Sequence, residues 1–196
     1  MLKINISVNY KELFKRVFLL ISSPAKAWEE ISLEEDRRMV MSTFVYPMIA
    51  FCGLAVFIGT LIGIGLGGQA LQIAMTNCCA TFVALFGGYF LVVYLTNQYE
   101  VKVLKLPSRL GHCYQFIGYA MVMTFVLDIV SGLFPSFLLL HLIFQFYVVY
   151  IVWEGAERLM CIEEKKRLFY TIVISLLIIG APMIIQMIFT KLSVLL

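Results

Sequence analysis

The sequence predicts an all-α integral membrane protein: a bundle of five transmembrane helices, preceded by one or two short amphipathic helices. The first observation is composition, since 62% of the 196 residues are hydrophobic and only 14% are charged, against about 25% charged in soluble domains. The second observation is where the charged residues lie along the chain. No charged residue occurs in 39–99 or 168–190, and Asp128 is the only one in 110–153. A spanning helix needs about 20 apolar residues. These features exclude a soluble enzyme, a nucleic-acid-binding domain and a disordered chain.

The first element is a cytoplasmic amphipathic segment, residues 1–39. Between residues 10 and 21, apolar side chains including Phe14 and Phe18 share one helical face, and basic and acidic side chains share the other. This pattern is typical of a helix lying in the membrane interface. A second short helix begins at Pro24 and is expected to hold Trp28 at headgroup depth. The alternative is that these helices dock against the bundle through protein contacts.

The transmembrane domain, residues 40–196, divides at two turn signals. A glycine-rich stretch at 63–69 and the Gly-Leu-Phe-Pro-Ser sequence at 132–136 interrupt the long uncharged runs, because glycine and proline disfavour a continuous helix. The predicted spans are about 41–63, 71–96, 113–132, 137–153 and 168–190.

Orientation follows from the basic residues, which accumulate on the cytoplasmic side of a membrane. The N-terminal segment and the loops 97–112 and 154–167 hold 14 of the 15 Lys and Arg residues. With five spans, these three segments share one side. The sequence therefore predicts a multi-pass protein of the cytoplasmic membrane, with its N-terminus in the cytoplasm and its C-terminus outside.

Small residues at four-residue spacing predict where helices pack, because association in lipid depends on close backbone approach. We expect the first two spans to cross through two such ridges, which could equally serve a homo-oligomer. The helix-packing residues are Ala55, Gly59 and Gly63 on the first span and Thr76, Ala80, Ala84 and Gly88 on the second.

Three polar residues form the candidate intramembrane site. Asp128 is the only charged residue inside a predicted span, and His141 lies at matching depth on the next, antiparallel span. Gln145 follows one turn deeper on the same face. Intramembrane ionisable groups often mark ion or proton sites, although a structural hydrogen bond between the two helices is the more common use.

No motif predicts catalysis. A formal GxGxxG at 63–68 lies in a turn between spans without a βαβ unit, so a dinucleotide site is not expected. The chain has only two histidines and no paired carboxylates within its spans. We therefore predict no catalytic residue, no cofactor and no metal.

Residues 21–31 (ISSPAKAWEEI), the Gly118-Tyr119-Ala120 sequence and the five-span layout resemble the bacterial branch of the Yip family of membrane proteins. The resemblance implies an α-helical membrane bundle with no known catalysis. Eukaryotic members bind prenylated small GTPases and act in vesicle traffic. This chain lacks their long N-terminal region and their Asp-Leu-Tyr-Gly-Pro motif, so no binding residue is carried over.

The leading functional hypothesis is a non-enzymatic membrane protein that organises protein partners or lipids. Its partners would be membrane lipid and an unidentified membrane or peripheral protein, with no nucleic acid. The alternative is a small transporter or channel that uses Asp128, His141 and Gln145.

Overall fold

The computed structural model describes residues 9–34, 36, 37 and 39–195, and all regular elements within these ranges are helical. The all-α prediction is confirmed. The predicted N-terminal segment 1–39 and transmembrane domain 40–196 are covered except for residues 1–8, 35, 38 and 196, which lie outside the described part of the chain.

Two short helices precede the spans. Helix α1, Tyr10–Ser22, begins where the side chain of Asn9 accepts a hydrogen bond from the backbone N–H of Glu12, which satisfies one of the N–H groups that a helix start leaves without a partner. Helix α2, Pro24–Ser32, has proline at its first position, where the fixed φ suits a helix and the missing N–H costs nothing.

Five helical stretches are long and apolar enough to cross a membrane, as predicted: Met41–Ile64, Gly68–Lys102, Leu110–Leu133, Leu139–Arg158 and Glu164–Leu192. We number them spans 1 to 5. Span 1 is a π-helical turn, Met41–Val45, continued by α3, Tyr46–Ile64; span 2 is α4, Gly68–Lys102; span 3 is α5, Leu110–Ala120, followed by α6, Val122–Leu133; span 4 is α7, Leu138–Gln145, followed by α8, Tyr147–Arg158; span 5 lies within α9, Glu164–Leu195.

Helix α4 extends six residues beyond the predicted span 71–96, because nothing in 97–102 interrupts it. The connection to span 3 is therefore only 103–109, which contains Pro107. At the other end of α4, Gly65 adopts a φ of 99°, a left-handed conformation that glycine adopts without steric cost. This glycine makes the tight turn that joins spans 1 and 2.

The glycines that were predicted to join spans 1 and 2 do not pack against each other's spans. A Cβ on Gly59 would overlap the carbonyl oxygen of Gly132, so this glycine packs against span 3. A Cβ on Gly88 would lie 2.7 Å from the Cγ of Pro182, so it packs against span 5. Gly63 is exposed. The prediction that these three glycines join spans 1 and 2 is wrong, because four-residue spacing defines a face and not its partner.

Candidate functional site: the docked N-terminal helices

Trp28 attaches α2 to the bundle. Its side chain is 0% exposed, and its ring centroid lies 5.5 Å from that of Phe116. The indole Nε1 donates a hydrogen bond of 2.9 Å to the carbonyl oxygen of Ile151. Gly155 provides the space, since a Cβ there would lie 2.6 Å from the indole Cε2. The structure shows the docked alternative, because spans 3 and 4 supply both a cavity and an acceptor for Trp28. The depth of Trp28 relative to the headgroups stays a prediction.

Helix α1 docks through one face only. Leu13 and Leu20 are buried, whereas Phe14 and Phe18 are 57% and 73% exposed. At the end of the helix, the hydroxyl of Tyr147 in span 4 donates a 2.7 Å hydrogen bond to the carbonyl of Ile21. The outward aromatic face is thus held in a fixed position, and its contact with the membrane interface stays a prediction.

A buried amide joins span 3 to the segment after α2. Gln115 is 0% exposed, and its Nε2 donates to the carbonyl of Ile31 at 3.1 Å and to Glu34 Oε2 at 3.0 Å. Its Oε1 accepts a hydrogen bond of 3.1 Å from Arg37. Both the amino group and the carbonyl oxygen of this amide are therefore hydrogen-bonded, as is usual for buried polar groups.

Glu34 is the second centre of this network. It accepts hydrogen bonds from Arg16 of α1 at 2.8 Å and from the hydroxyl of Tyr119 at 3.3 Å, besides the one from Gln115. The guanidinium of Arg16 also lies 5.8 Å from the centre of the Tyr119 ring. Beside them, between α1 and the start of span 1, is a cavity of about 430 Å³ that both polar and apolar side chains line. Tyr119 and Trp28 come from the two sequence motifs quoted above, and their rings meet at 6.4 Å.

The three residues of the predicted intramembrane site do not form one hydrogen-bonded group. His141 Nδ1 lies 3.2 Å from Ser131 Oγ, and the structure records no hydrogen bond or ion pair between His141 and Asp128 in the described part of the chain. One turn before Asp128, Thr124 is 4% exposed and its hydroxyl has no hydrogen-bond partner among the described residues. Gln145 is half-buried on the next span. Thr124 was not among the three predicted site residues, although its four-residue spacing from Asp128 indicated a shared face.

Glu100 is a buried acid that the sequence analysis placed in a loop. It is 0% exposed on α4 and accepts a 2.9 Å hydrogen bond from the hydroxyl of Tyr170 on α9. Arg109 Nη2 lies 3.6 Å from its Oε2 and donates to the carbonyl of Met160 at 3.2 Å. This network joins spans 2 and 5 to the 103–109 connection. Its four-residue spacing from Thr96, also buried, was the signal that could have found it.

Within the described residues, no group of three or more His, Cys, Asp or Glu side chains is arranged to hold a metal ion. The same ranges contain five free cysteines, of which Cys79, on α4, and Cys161, in the connection between spans 4 and 5, are exposed. The hydrogen bonds of Trp28, Gln115, Glu34 and Glu100 connect helices to one another. What this arrangement can do is fix α1 and α2 to the bundle and present one face of α1 outward.

The comparison with protein families identifies a family to which this chain is similar. The model of the Yip1 domain matches residues 18–185. This range begins in α1 and ends in α9, and it includes Trp28, Tyr119, spans 1 to 4 and most of span 5. No curated protein and no solved structure matches the chain.

Proposed function

The chain belongs to the Yip1 domain family, and from that premise we propose that it is a non-enzymatic protein of the cytoplasmic membrane that organises protein partners or lipids. The observation that carries this proposal is the one-sided docking of α1. Leu13 is buried against the bundle, whereas Phe18 is 73% exposed. A helix fixed on one face and open on the other can hold a partner at a constant position relative to the membrane.

The proposal includes an orientation, with the N-terminus in the cytoplasm and the C-terminus outside. It is supported by the basic residues in 1–39, 97–112 and 154–167, which hold 14 of the 15 in the chain. The test is a variant in which Cys161 is the sole cysteine. A membrane-impermeant maleimide should label it only after the cells are permeabilised. In the matched variant, with all native cysteines replaced and Lys191→Cys added, intact cells should be labelled. The reverse pattern would overturn the orientation.

The organising role is tested by crosslinking in intact cells. A photoreactive amino acid replaces Phe18, on the exposed face of α1, and in the control variant it replaces Leu20, which is 0% exposed. The position-18 variant should give a discrete adduct with one protein or lipid species, whereas the position-20 variant should crosslink within the chain. Identical adduct patterns from the two positions would contradict the proposal.

The second candidate is a small transporter or channel that uses Asp128, His141 and Gln145. It is favoured by the buried hydroxyl of Thr124, one turn from Asp128, which lacks a hydrogen-bond partner in the described ranges. A structural crosslink between helices would be expected to satisfy its members. A polar group left open next to a carboxylate is instead consistent with a transient ligand such as a proton or a cation.

The two candidates are separated by flux through proteoliposomes that contain a pH-sensitive dye. Under the organising role, the wild-type protein and Asp128→Asn should both show the leak of protein-free vesicles. Proton or ion flux that the wild type supports and Asp128→Asn abolishes would establish the second candidate. Ser136→Ala, at an exposed position of the outer turn, is the control for effects of reconstitution.

A further inference from the structure

The contact between spans 2 and 5 contains hydroxyl groups that the protein itself does not satisfy. Thr96 on α4 and Thr171 and Ser175 on α9 are 0%, 1% and 3% exposed, and their side-chain oxygens have no hydrogen-bond partner among the described residues. Hydroxyls at other positions in the spans donate to the carbonyl oxygen four residues earlier, as Thr81 and Ser131 do. Nearly all buried polar groups in native proteins have a partner, either within the protein or in an ordered water.

Two contacts fix the register of these antiparallel helices. Gly88 of α4 lies against Pro182 of α9, and Glu100 accepts its hydrogen bond from Tyr170. The two contacts are twelve residues apart on each helix, so the helices advance in step between them. A residue four positions before Glu100 is therefore level with a residue four positions after Tyr170.

The three hydroxyls lie close to this level and on facing sides. Thr96 is level with residue 174, which lies between Thr171 and Ser175. At about 3.6 residues per turn, Thr171, Ser175 and Pro182 fall within roughly 40° of one another around α9. Because Pro182 contacts α4, the side of α9 that carries the two hydroxyls is the side that packs on α4.

The unsatisfied groups continue towards the connection between spans 2 and 3. Glu100 lies one turn from Thr96, and its Oε2 accepts no hydrogen bond from the described part of the chain, although Arg109 Nη2 is 3.6 Å away. Arg109 Nε is also buried without a partner in these ranges, while the arginine side chain is 24% exposed. Donors and acceptors thus follow one another from a partly exposed side chain to Ser175, which lies five residues, or about 7.5 Å, beyond Tyr170 on α9.

We propose that the contact between spans 2 and 5 binds internal water molecules from Arg109 to Ser175. Water both donates and accepts hydrogen bonds, as these groups require, and a buried water makes about three of them. A metal cation fits less well, because Arg109 already places a positive charge beside Glu100. Water-mediated hydrogen bonds are nearly as favourable as direct ones, so bound water links the two spans where their side chains do not. This site goes beyond the proposed function and uses no residue of α1 or α2.

The experiment is X-ray footprinting of the purified full chain in lipid nanodiscs, in which hydroxyl radicals formed from water oxidise adjacent side chains. Tyr170 is the reporter, and Tyr89 is the matched control. Both are 0% exposed, but the hydroxyl of Tyr89 donates directly to the carbonyl of Tyr114. Tyr170 should be oxidised severalfold faster than Tyr89, because water lies next to it. Equal oxidation of the two tyrosines would overturn the proposal.

Threonine-to-valine variants distinguish bound water from a dry contact, because valine keeps the shape and removes the hydroxyl. If the contact were dry, Thr96→Val and Thr171→Val would raise the denaturant midpoint of unfolding, since each removes an unpaired buried group. If water is bound, both should lower the midpoint and slow the oxidation of Tyr170. Thr81→Val is the control, because that hydroxyl bonds within its own helix, and it should leave oxidation of Tyr170 unchanged. A raised midpoint in either variant, or unchanged oxidation of Tyr170 in both, would contradict the assignment.

Discussion

Removing the Trp28 side chain should release the N-terminal helices from the bundle. The indole is 0% exposed, packs on Phe116 and donates one hydrogen bond to Ile151. Truncating a buried Trp to Ala destabilises by about 3–5 kcal/mol. At about 1.4 kcal/mol per factor of ten, Trp28→Ala should make opening of α1 and α2 at least about a hundredfold more frequent.

The assay is amide hydrogen exchange of the protein in lipid nanodiscs, followed for peptides from α1 and α2 and for peptides from α9. Trp28→Phe keeps an aromatic ring and loses the N–H donor, so it should cost about 1 kcal/mol, or about fivefold in exchange. Phe18→Ala, at an exposed position of α1, is the control and should leave exchange within a factor of about two, since surface substitutions act within about 0.5 kcal/mol.

The reasoning would be refuted if Trp28→Ala left exchange in α1 and α2 unchanged. It would also be refuted if exchange rose equally in α9, because Trp28 would then stabilise the whole bundle and not a separable docking unit. Exchange should be fastest in Trp28→Ala, slower in Trp28→Phe and slowest in the wild type. This order is the specific signature of a side chain that contributes both packing and a hydrogen bond.

The remaining predictions concern the contacts between spans. Gly59→Ala should destabilise the protein by about 1–3 kcal/mol in denaturant titration, because its Cβ would overlap the carbonyl of Gly132. Gly63→Ala, on the same helix with no atom within 4 Å of the added carbon, is the control, and an equal loss from both would contradict the packing described. Glu100→Gln should lower the free energy of unfolding, because it leaves Arg109 beside a neutral side chain. The decrease should be at the low end of about 3–5 kcal/mol, because Arg109 is partly exposed. An unchanged unfolding midpoint for Glu100→Gln would show that the pair contributes nothing.

The spans were predictable because a bilayer imposes one strong requirement. Every peptide group in the hydrocarbon core needs a hydrogen bond, so a long uncharged run must be helical. The turn at Gly65 and the break before α7 were readable for the same reason, since glycine and proline interrupt such runs. The end of α4 was not, because charge marks where a helix leaves the membrane and not where its hydrogen bonds stop. Glu100 lies in the stretch 97–102, which is beyond the predicted span but still within helix α4.

Trp28 shows where sequence patterns reach their limit. The sequence left α2 either at the membrane interface or docked against the bundle, because an aromatic side chain fits lipid and protein equally well. The partner was decided by Gly155, which leaves space for the indole, and by the carbonyl of Ile151. Gly59 is similar: its spacing predicted a close approach, whereas the shape of span 3 at Gly132 determined where it occurred. Such choices depend on tertiary geometry that no local pattern contains.

The polar network at Glu34 has a consequence for how ligands act on the protein. Its hydrogen bonds connect Arg16 of α1 with Gln115 and Tyr119 of span 3. Removing one partner from a buried polar group costs more than the net gain of a single bond, so these side chains stabilise one another as a unit. A ligand that contacts both α1 and α6 binds only the docked state, and it stabilises that state by an amount that grows with the logarithm of the ratio of its concentration to its Kd. A substitution that opens α1, Trp28→Ala among them, weakens the binding of such a ligand to the extent that it lowers the fraction of docked protein.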